Sequence, residues 1–454
     1  MTLPNGSQDH PFDSIVVGAG IVGCAVATTF ARQGRKVLLL ERSLREPDRM
    51  TGDLLQPGGV AALRKLGMGA CLEGIDAVSV RGFEILWRGE SVKFSYPVVG
   101  EERPMGRSFR YGRFVGKLRE VARGEGGVVV IEGSVKSLVK CPSSGRVLGV
   151  RCPISDSNGK QERTFFSHLT TITIGHSSPL RSELTPQTPL STSKSWGLEL
   201  TNALLPSQDH AYGILGTGPP ILIYRTSPQI TRLLIDIPKT LHSSLRNNNT
   251  SIKSCILNTI IPTLPPCTQP SAILALKTGR LRSIPNSWLP ASRNRIKGLV
   301  VVWDALNTRH PLSGGGMTVG LHDVLLLRRL LGPDSVPSFS DGEVIVGKMG
   351  VFDGERRGVS LSLDGVAQVL YGVFVGGDPQ SRILQRGFIR YLQRGGSCIE
   401  EPAGLLGGVI HSPFLLFYHF FAVAMYSLWL YFKEECGGSW WGLGGVLELW
   451  GLGV

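Results

Sequence analysis

The stretch Asp13–Arg42, DSIVVGAGIVGCAVATTFARQGRKVLLLER, decides the fold class. An apolar strand over 14–17 runs into a glycine turn, an apolar-faced helix to about residue 33, and a second strand over 37–40. Gly18, Gly20 and Gly23 stand in the G-x-G-x-x-G spacing directly behind the first strand. The first glycine lets the chain turn, the second lets backbone approach a pyrophosphate, and the third lets the helix pack on the strand. Free N–H groups and the positive dipole end of the helix then face the phosphates. Glu41 closes the second strand, where a carboxylate can bind an adenosine ribose hydroxyl. Strand, helix, second strand and acid together predict dinucleotide binding. Which dinucleotide is bound stays open at this point.

A chain of 454 residues is long enough for a large core, read here as two intertwined domains plus appendages. Its eight cysteines are scattered, with no C-x-x-C pair and no His/Cys spacing suited to a metal, which fits reduced thiols in a cytosol-facing protein. The net charge of +13 is spread without a basic run or an aromatic-interleaved strip. That argues against a nucleic-acid partner and for an anionic membrane surface, or no partner at all. Residues 1–12 are mostly polar and hold Pro4 and Pro11, so no signal peptide or N-terminal span is expected.

Outward from the fingerprint, Gln56 precedes a Pro57-Gly58-Gly59 turn and a helix over 60–66, a position facing either solvent or a flavin or substrate. Residues 81–96 alternate as strands and end in Ser95-Tyr96-Pro97. Phe114, Val115, Leu118 and Val121 give a helix pattern, with Arg113 near its start. The texture then changes: strand-like segments over 169–297 are separated by polar loops, and 241–250, LHSSLRNNNT, reads as a flexible excursion. From 298 a buried strand runs into Asp304, then Gly314-Gly315-Gly316 and a helix beginning about Met317. A helix N-terminus meeting a glycine loop behind an acid can hold an anion or an electron-rich ring. The glycines at 347, 350, 354 and 358 weaken what should be the next helix.

The tail is different material. Residues 413–432, PFLLFYHFFAVAMYSLWLYF, carry no formal charge and have the length of a bilayer-spanning helix. The aromatics, His419 and Pro413 suit an interfacial helix equally well. The segment 440–454 is too short and glycine-broken for a span.

Together these pieces resemble the squalene epoxidase (squalene monooxygenase) family over residues 13 to about 432. The most specific matches are EPDRMTGDLLQPGG at 46–59, GRSFRYGRF at 106–114 and DALNTRHPLSGGGMTVGLHD at 304–323, with the fingerprint before them and the apolar tail after. The resemblance implies an α/β fold: an FAD-binding Rossmann-like domain of the aromatic-hydroxylase type (1–168 and 298–380), an inserted β-rich substrate domain (169–297), and a helical, membrane-associated C-terminus (381–454). It implies FAD as cofactor, with Gly18, Ala19, Gly20, Gly23, Glu41 and Arg42 at the ADP half. Arg113 would contact the flavin, Asp304 the pyrophosphate and ribityl chain, and Gly316 and Met317 the ring; Tyr96 and Gln56 would line the squalene pocket. The implied reaction is oxygen transfer to a terminal alkene of squalene, giving 2,3-oxidosqualene, with NADPH electrons arriving through a partner cytochrome reductase. The implied place is the endoplasmic reticulum membrane or lipid droplets, with the catalytic domain facing the cytosol.

Two positions depart from the family pattern. Ile174 stands where the family has an Asp before Gly175, and Trp303 stands where it has a Gly before Asp304. The first removes a polar anchor beside the flavin; the second puts an indole where backbone and cofactor approach closely. Two further readings therefore stay open: a catalytically impaired membrane paralogue that binds lipid or a partner, and a soluble aromatic hydroxylase, which would leave the tail without a role.

Overall fold

The computed structural model describes residues 12–435 apart from 157–158, 176–179, 185–186, 217, 248–249 and 376–378. The readings placed on 1–11 and 436–454 lie outside the described residues.

The apolar run Phe12–Val17 forms the central strand of a mixed sheet, paired in parallel with Val37–Glu41 on one side and with Gly159–Ile172 on the other. Val128–Glu132 extends the sheet beyond Val37–Glu41, again in parallel. Gly159–Ile172 does double duty: its end also pairs in parallel with Leu299–Val301, while its beginning turns back antiparallel against Val147–Asp156. Parallel strands of continuous Val, Ile and Leu must be covered on both faces. The helices Ile21–Arg32, Tyr111–Gly124 and Gly316–Leu330 supply part of that cover, and the first of them is buried from Ile21 through Phe30.

A second seven-stranded sheet runs, in spatial order, Arg282–Trp288, Leu190–Thr201, Ile230–Pro238, Ile221–Arg225, His210–Leu215, Gly82–Trp87 and Glu90–Ser95. The last two strands come from before residue 168, so the segment 1–168 serves both sheets and the chain crosses between them repeatedly. One face of this sheet packs on the helix Gln269–Thr278, through Ile214, Ile223, Leu233 and Ala272. The expected flexible excursion at 241–250 is instead largely the helix Lys239–Asn247, whose Leu241 packs against that core. An asparagine-rich end disguised a short amphipathic helix.

The other face of the sheet is covered by the C-terminal helices Gly342–Phe374, Pro379–Gln393, Ser397–Leu406 and Pro413–Glu435. The first of these is unbroken over its 33 residues despite its glycines. Nothing lies within 4 Å of where a Cβ would stand at 347, 350, 354 or 358, so those glycines occupy an unpacked side. Ile345, Met349, Phe352 and Leu363 bury the other side, and Asp341 caps the first turn by accepting from Val344 N at 3.1 Å. Tertiary packing outweighs helix propensity here.

The helix Pro413–Glu434 is long and apolar enough to cross a membrane, with mean hydropathy 1.5. Its sides differ. Phe414, Phe417, Tyr418, Phe421, Met425 and Trp429 are exposed, whereas His419, Ser427 and Leu430 are buried. Gly387 on the neighbouring helix admits the Ser427 side chain, since a Cβ there would sit 1.8 Å from its hydroxyl oxygen.

Candidate active site

The site begins at the end of the strand Phe12–Val17. Gly18 takes φ +104°, a conformation that side chains resist, and this turns the chain onto the helix Ile21–Arg32. A Cβ at Gly23 would lie 1.7 Å from the Gly18 carbonyl oxygen, so only glycine lets helix and strand approach this closely. Around Gly20 only the Tyr111 hydroxyl comes as near as 4.0 Å to where a Cβ would stand, and no side chain caps the helix. The carboxylate of Glu41 reaches back to accept from Ala19 N at 2.7 Å and from Ser43 N at 3.3 Å. These groups open on a cleft of about 380 Å³ lined by Gly18, Gly20, Glu41, Arg42, Arg49, Tyr111, Arg119, Val135, Thr173, Ile174 and Trp303, among others. Open helix-end amides, several arginines and an acid at the strand end fit an adenosine diphosphate group, as the sequence suggests.

Arg119, and not the expected Arg113, lines the cleft. Arg113 projects to the surface and pairs with Asp76, away from the cleft. Arg119, six residues on, is buried: its Nε donates to the Ala19 carbonyl at 2.8 Å, its Nη1 to the Arg45 carbonyl at 3.0 Å, and its Nη2 lies 3.8 Å from Glu41. Helix phase explains the difference. Phe114, Val115, Leu118 and Arg119 are buried on one side, and Arg113 falls off its edge. Reading the burial phase through to Arg119 would have found it.

A second cavity of about 160 Å³ continues from the first, sharing Arg49, Tyr111 and Trp303 with it. Asp304, Arg309, Gly314, Gly316 and Met317 line one part of it and Phe83, Leu222, Tyr224 and Leu312 another. The glycine loop is set by local chemistry: His310 Nδ1 accepts from Leu312 N at 3.3 Å, and Gly314 turns at φ +63° into the helix Gly316–Leu330. Beneath the segment 303–309 lies a buried network. Asp323 accepts from Trp303 N at 2.9 Å and from Arg356 Nε at 2.8 Å, and Asn307 Oδ1 accepts from Arg356 at 2.7 Å and Arg309 at 2.6 Å. Asp304 is therefore carried on a backbone braced from the long helix Gly342–Phe374.

Tyr96 and Gln56, expected to line the substrate pocket, line none of the cavities described here. Both are fully buried one layer behind the wall. Burial pushes the Tyr96 phenol pKa well up, so the hydroxyl stays protonated and donates to Gln56 Oε1 at 2.5 Å. Gln56 Nε2 in turn donates to the Ser313 carbonyl at 2.7 Å, bracing the glycine loop. The wall itself is Phe83, whose ring meets Tyr96 edge-on at 6.3 Å. Phe83, and not Tyr96, lines the second and third cavities.

A third cavity of about 110 Å³ adjoins the second through Phe83, Leu222 and Leu312. Its lining is almost wholly apolar, including Val366, Phe374, Leu405, Phe420 and Val423, and it extends under the apolar C-terminal helix. His419 is its polar exception; Nδ1 lies 2.8 Å from the Tyr391 hydroxyl and Nε2 2.7 Å from Glu401. The three chambers thus run in series from a polar cleft to an apolar one.

Ile174 and Trp303, the two positions read as departures, both border the first cleft. Ile174 lines the first cleft. Arg181, which follows the same loop, is buried with Nη2 on the carbonyls of Asp304 (3.0 Å) and Gly175 (3.4 Å), while its Nε and Nη1 find no partner among the described residues. Trp303 takes φ +57° and lies on the boundary of the first two cavities. Among the described residues no group of acids, histidines or cysteines is arranged to hold a metal.

A Rossmann-like unit joined to a large second sheet, with a glycine loop facing the fingerprint, defines the class of FAD-dependent monooxygenases. Solved structures share this fold. A probable FAD-dependent monooxygenase from Pseudomonas aeruginosa, PqsL, superposes with TM-score 0.67 at 20% identity, over 82% of this chain and 98% of that one. The flavin-dependent brominase Bmp2 gives TM-score 0.71 at 14% identity, over 91% and 98%. A Rossmann-like NAD(P)-binding profile matches residues 16–45, and the squalene epoxidase profile matches residues 166–439. Squalene epoxidase erg1 of Aspergillus fumigatus is 45% identical over 93% of this chain and 87% of its own length. Squalene epoxidase ERG1 of Saccharomyces cerevisiae is 36% identical over 95% and 92%. The chain belongs to the squalene epoxidase family.

Proposed function

We propose that this chain is an FAD-dependent squalene monooxygenase of sterol biosynthesis. It converts squalene, O2, two electrons and two protons into 2,3-oxidosqualene and water. The observation that carries the reading is the series of cavities, polar at Gly18–Glu41, mixed at Asp304–Met317 and apolar beneath the C-terminal helix. A long hydrocarbon substrate needs an apolar chamber, and a dinucleotide needs the polar one.

In this reading Gly18, Gly20, Glu41, Arg42 and Arg119 hold the ADP half of FAD, and Asp304, Gly316 and Met317 its flavin half. Bound FAD would supply the activation of O2, from which the transferred oxygen atom comes. The chain's residues orient and protect. Phe83, Leu222 and Leu312 separate the flavin chamber from the apolar one and exclude water from the reacting alkene. Gln56 and Tyr96 are positioning residues that hold the glycine loop from behind.

The C-terminal helix serves as a membrane anchor lying in the interface. One side packs on the protein through His419 and Ser427 while the aromatic side is exposed, an arrangement suited to an interfacial helix that keeps the apolar chamber against lipid. We place the enzyme on the endoplasmic reticulum membrane or lipid droplets, facing the cytosol, with electrons delivered from NADPH by a partner cytochrome reductase. Purified protein supplied with FAD, NADPH, reductase and squalene is expected to form oxidosqualene. A fully flavinated protein that forms none would favour the impaired, lipid-binding paralogue, the reading to which Ile174 and the unpaired Arg181 nitrogens lend weight.

A further inference from the structure

Trp303 has a backbone conformation that bulky residues avoid. At φ +57° it lies in the left-handed region, where a non-glycine residue costs energy and persists only when its surroundings fix it. Three contacts fix it here. Its N–H donates to the buried Asp323 carboxylate at 2.9 Å. Its indole Nε1 donates to the Gly316 carbonyl at 2.9 Å, in the first turn of the helix that faces the flavin chamber. Its ring lies over Gly320, one turn further along the same helix: a Cβ at 320 would stand 2.7 Å from Trp303 Cδ1 and 2.5 Å from Val22 Cγ2. Real Cβ atoms essentially never come so close. Gly320 is thus the socket for the indole, at the point where the helices Ile21–Arg32 and Gly316–Leu330 meet.

We propose that Trp303 and Gly320 form one interlocked pair that keeps the passage between the first two cavities open for the cofactor. The indole lies on the boundary of both cavities, beside Arg49 and Tyr111. Its edge occupies the space left by the missing Gly320 side chain. A methyl group at 320 would be wedged between Val22 Cγ2 and the indole, so one of them must give way, and Trp303 borders the passage. The pair also carries the flavin loop. The indole N–H holds Gly316, and the Trp303 backbone carries Asp304 directly after it. The potentially obstructive Trp303 is therefore a positioning residue whose cost is offset by a glycine seventeen residues downstream. The inference rests on the FAD reading above.

A double-mutant cycle on the full-length protein tests the pair, read by FAD affinity, by ADP affinity and by thermal unfolding of the FAD-free form. Overpacking of a tight site costs enough to weaken FAD binding about tenfold to a hundredfold in Gly320→Ala. ADP, which needs only the first cleft, is expected to bind within about threefold of wild type. Trp303→Gly frees the socket, so Trp303→Gly with Gly320→Ala is expected to recover FAD affinity to within about threefold of wild type. Trp303→Phe keeps an aromatic ring of smaller volume and removes the N–H, reporting on the bond to Gly316. Should Gly320→Ala fail to fold, the double variant must still fold and bind, since the clash is gone. FAD binding by Gly320→Ala equal to wild type, or a double variant no better than Gly320→Ala, overturns the proposal. Wild-type protein that binds ADP but no FAD overturns the flavoprotein reading, and the proposal with it.

Discussion

The hydroxyl of Tyr96 and Oε1 of Gln56 meet at 2.5 Å in a site with no solvent access, and the far end of the amide holds the Ser313 carbonyl. The pair links the strand-end Tyr-Pro motif to the glycine loop without touching any of the three chambers. Tyr96→Phe removes the donor and leaves a buried amide oxygen unsatisfied, which costs about 1–3 kcal/mol. The expected result is a lower thermal midpoint and a severalfold lower kcat, with KM for squalene unchanged. A large rise in KM alone would return Tyr96 to the substrate wall.

Arg119 and Arg113 separate cleanly by experiment. Arg119→Ala removes the clasp on Ala19 and Arg45 and is expected to weaken FAD binding at least tenfold, about 1.4 kcal/mol. Arg113→Ala breaks an exposed ion pair with Asp76, worth about 0–1 kcal/mol, and should leave FAD affinity within about twofold. Equilibrium titration of apoprotein with FAD measures both. Equal losses would contradict the placement.

Ile174→Asp puts a carboxylate beside the loop that carries Arg181, whose Nε and Nη1 are buried without partners among the described residues. Supplying an acceptor to buried, unsatisfied guanidinium nitrogens is stabilising where geometry permits. The thermal midpoint of the variant should rise and its flavin content should not fall. A lower midpoint would show that the first cleft requires an apolar residue at 174.

The exposed face of the C-terminal helix should decide membrane binding without touching the site. Phe417→Glu with Met425→Glu charges that face, where both side chains are more than half exposed. Cofloatation with vesicles containing anionic lipid is expected to be lost, while flavin content stays at the wild-type level. His419→Ala should act differently. It breaks a buried contact to Tyr391 and a partly buried one to Glu401, and should lower the thermal midpoint rather than release the protein from lipid.

Much of this was legible in the residues. The fingerprint from Gly18 to Glu41 carries its own geometry, because a period-two strand, a glycine turn and a helix leave one way to pack. The glycine loop at 314–316 and the apolar tail were equally plain. What was not legible depended on which way a side chain points within a correctly placed element. Arg113 and Arg119 share a helix, and only the buried side of that helix separates them. Tyr96 directly follows the strand paired with that of Phe83, yet of the two only Phe83 lines the chambers. The role of Gly320 lay further out of reach, since it exists only in the contact with Trp303, across the fold.

The most direct test of the central claim is a single-turnover measurement on the full-length, FAD-loaded protein with squalene, O2 and chemically reduced flavin. One 2,3-oxidosqualene per flavin is the predicted result, independent of any reductase. Reoxidation of stoichiometric flavin with no epoxide formed would contradict it.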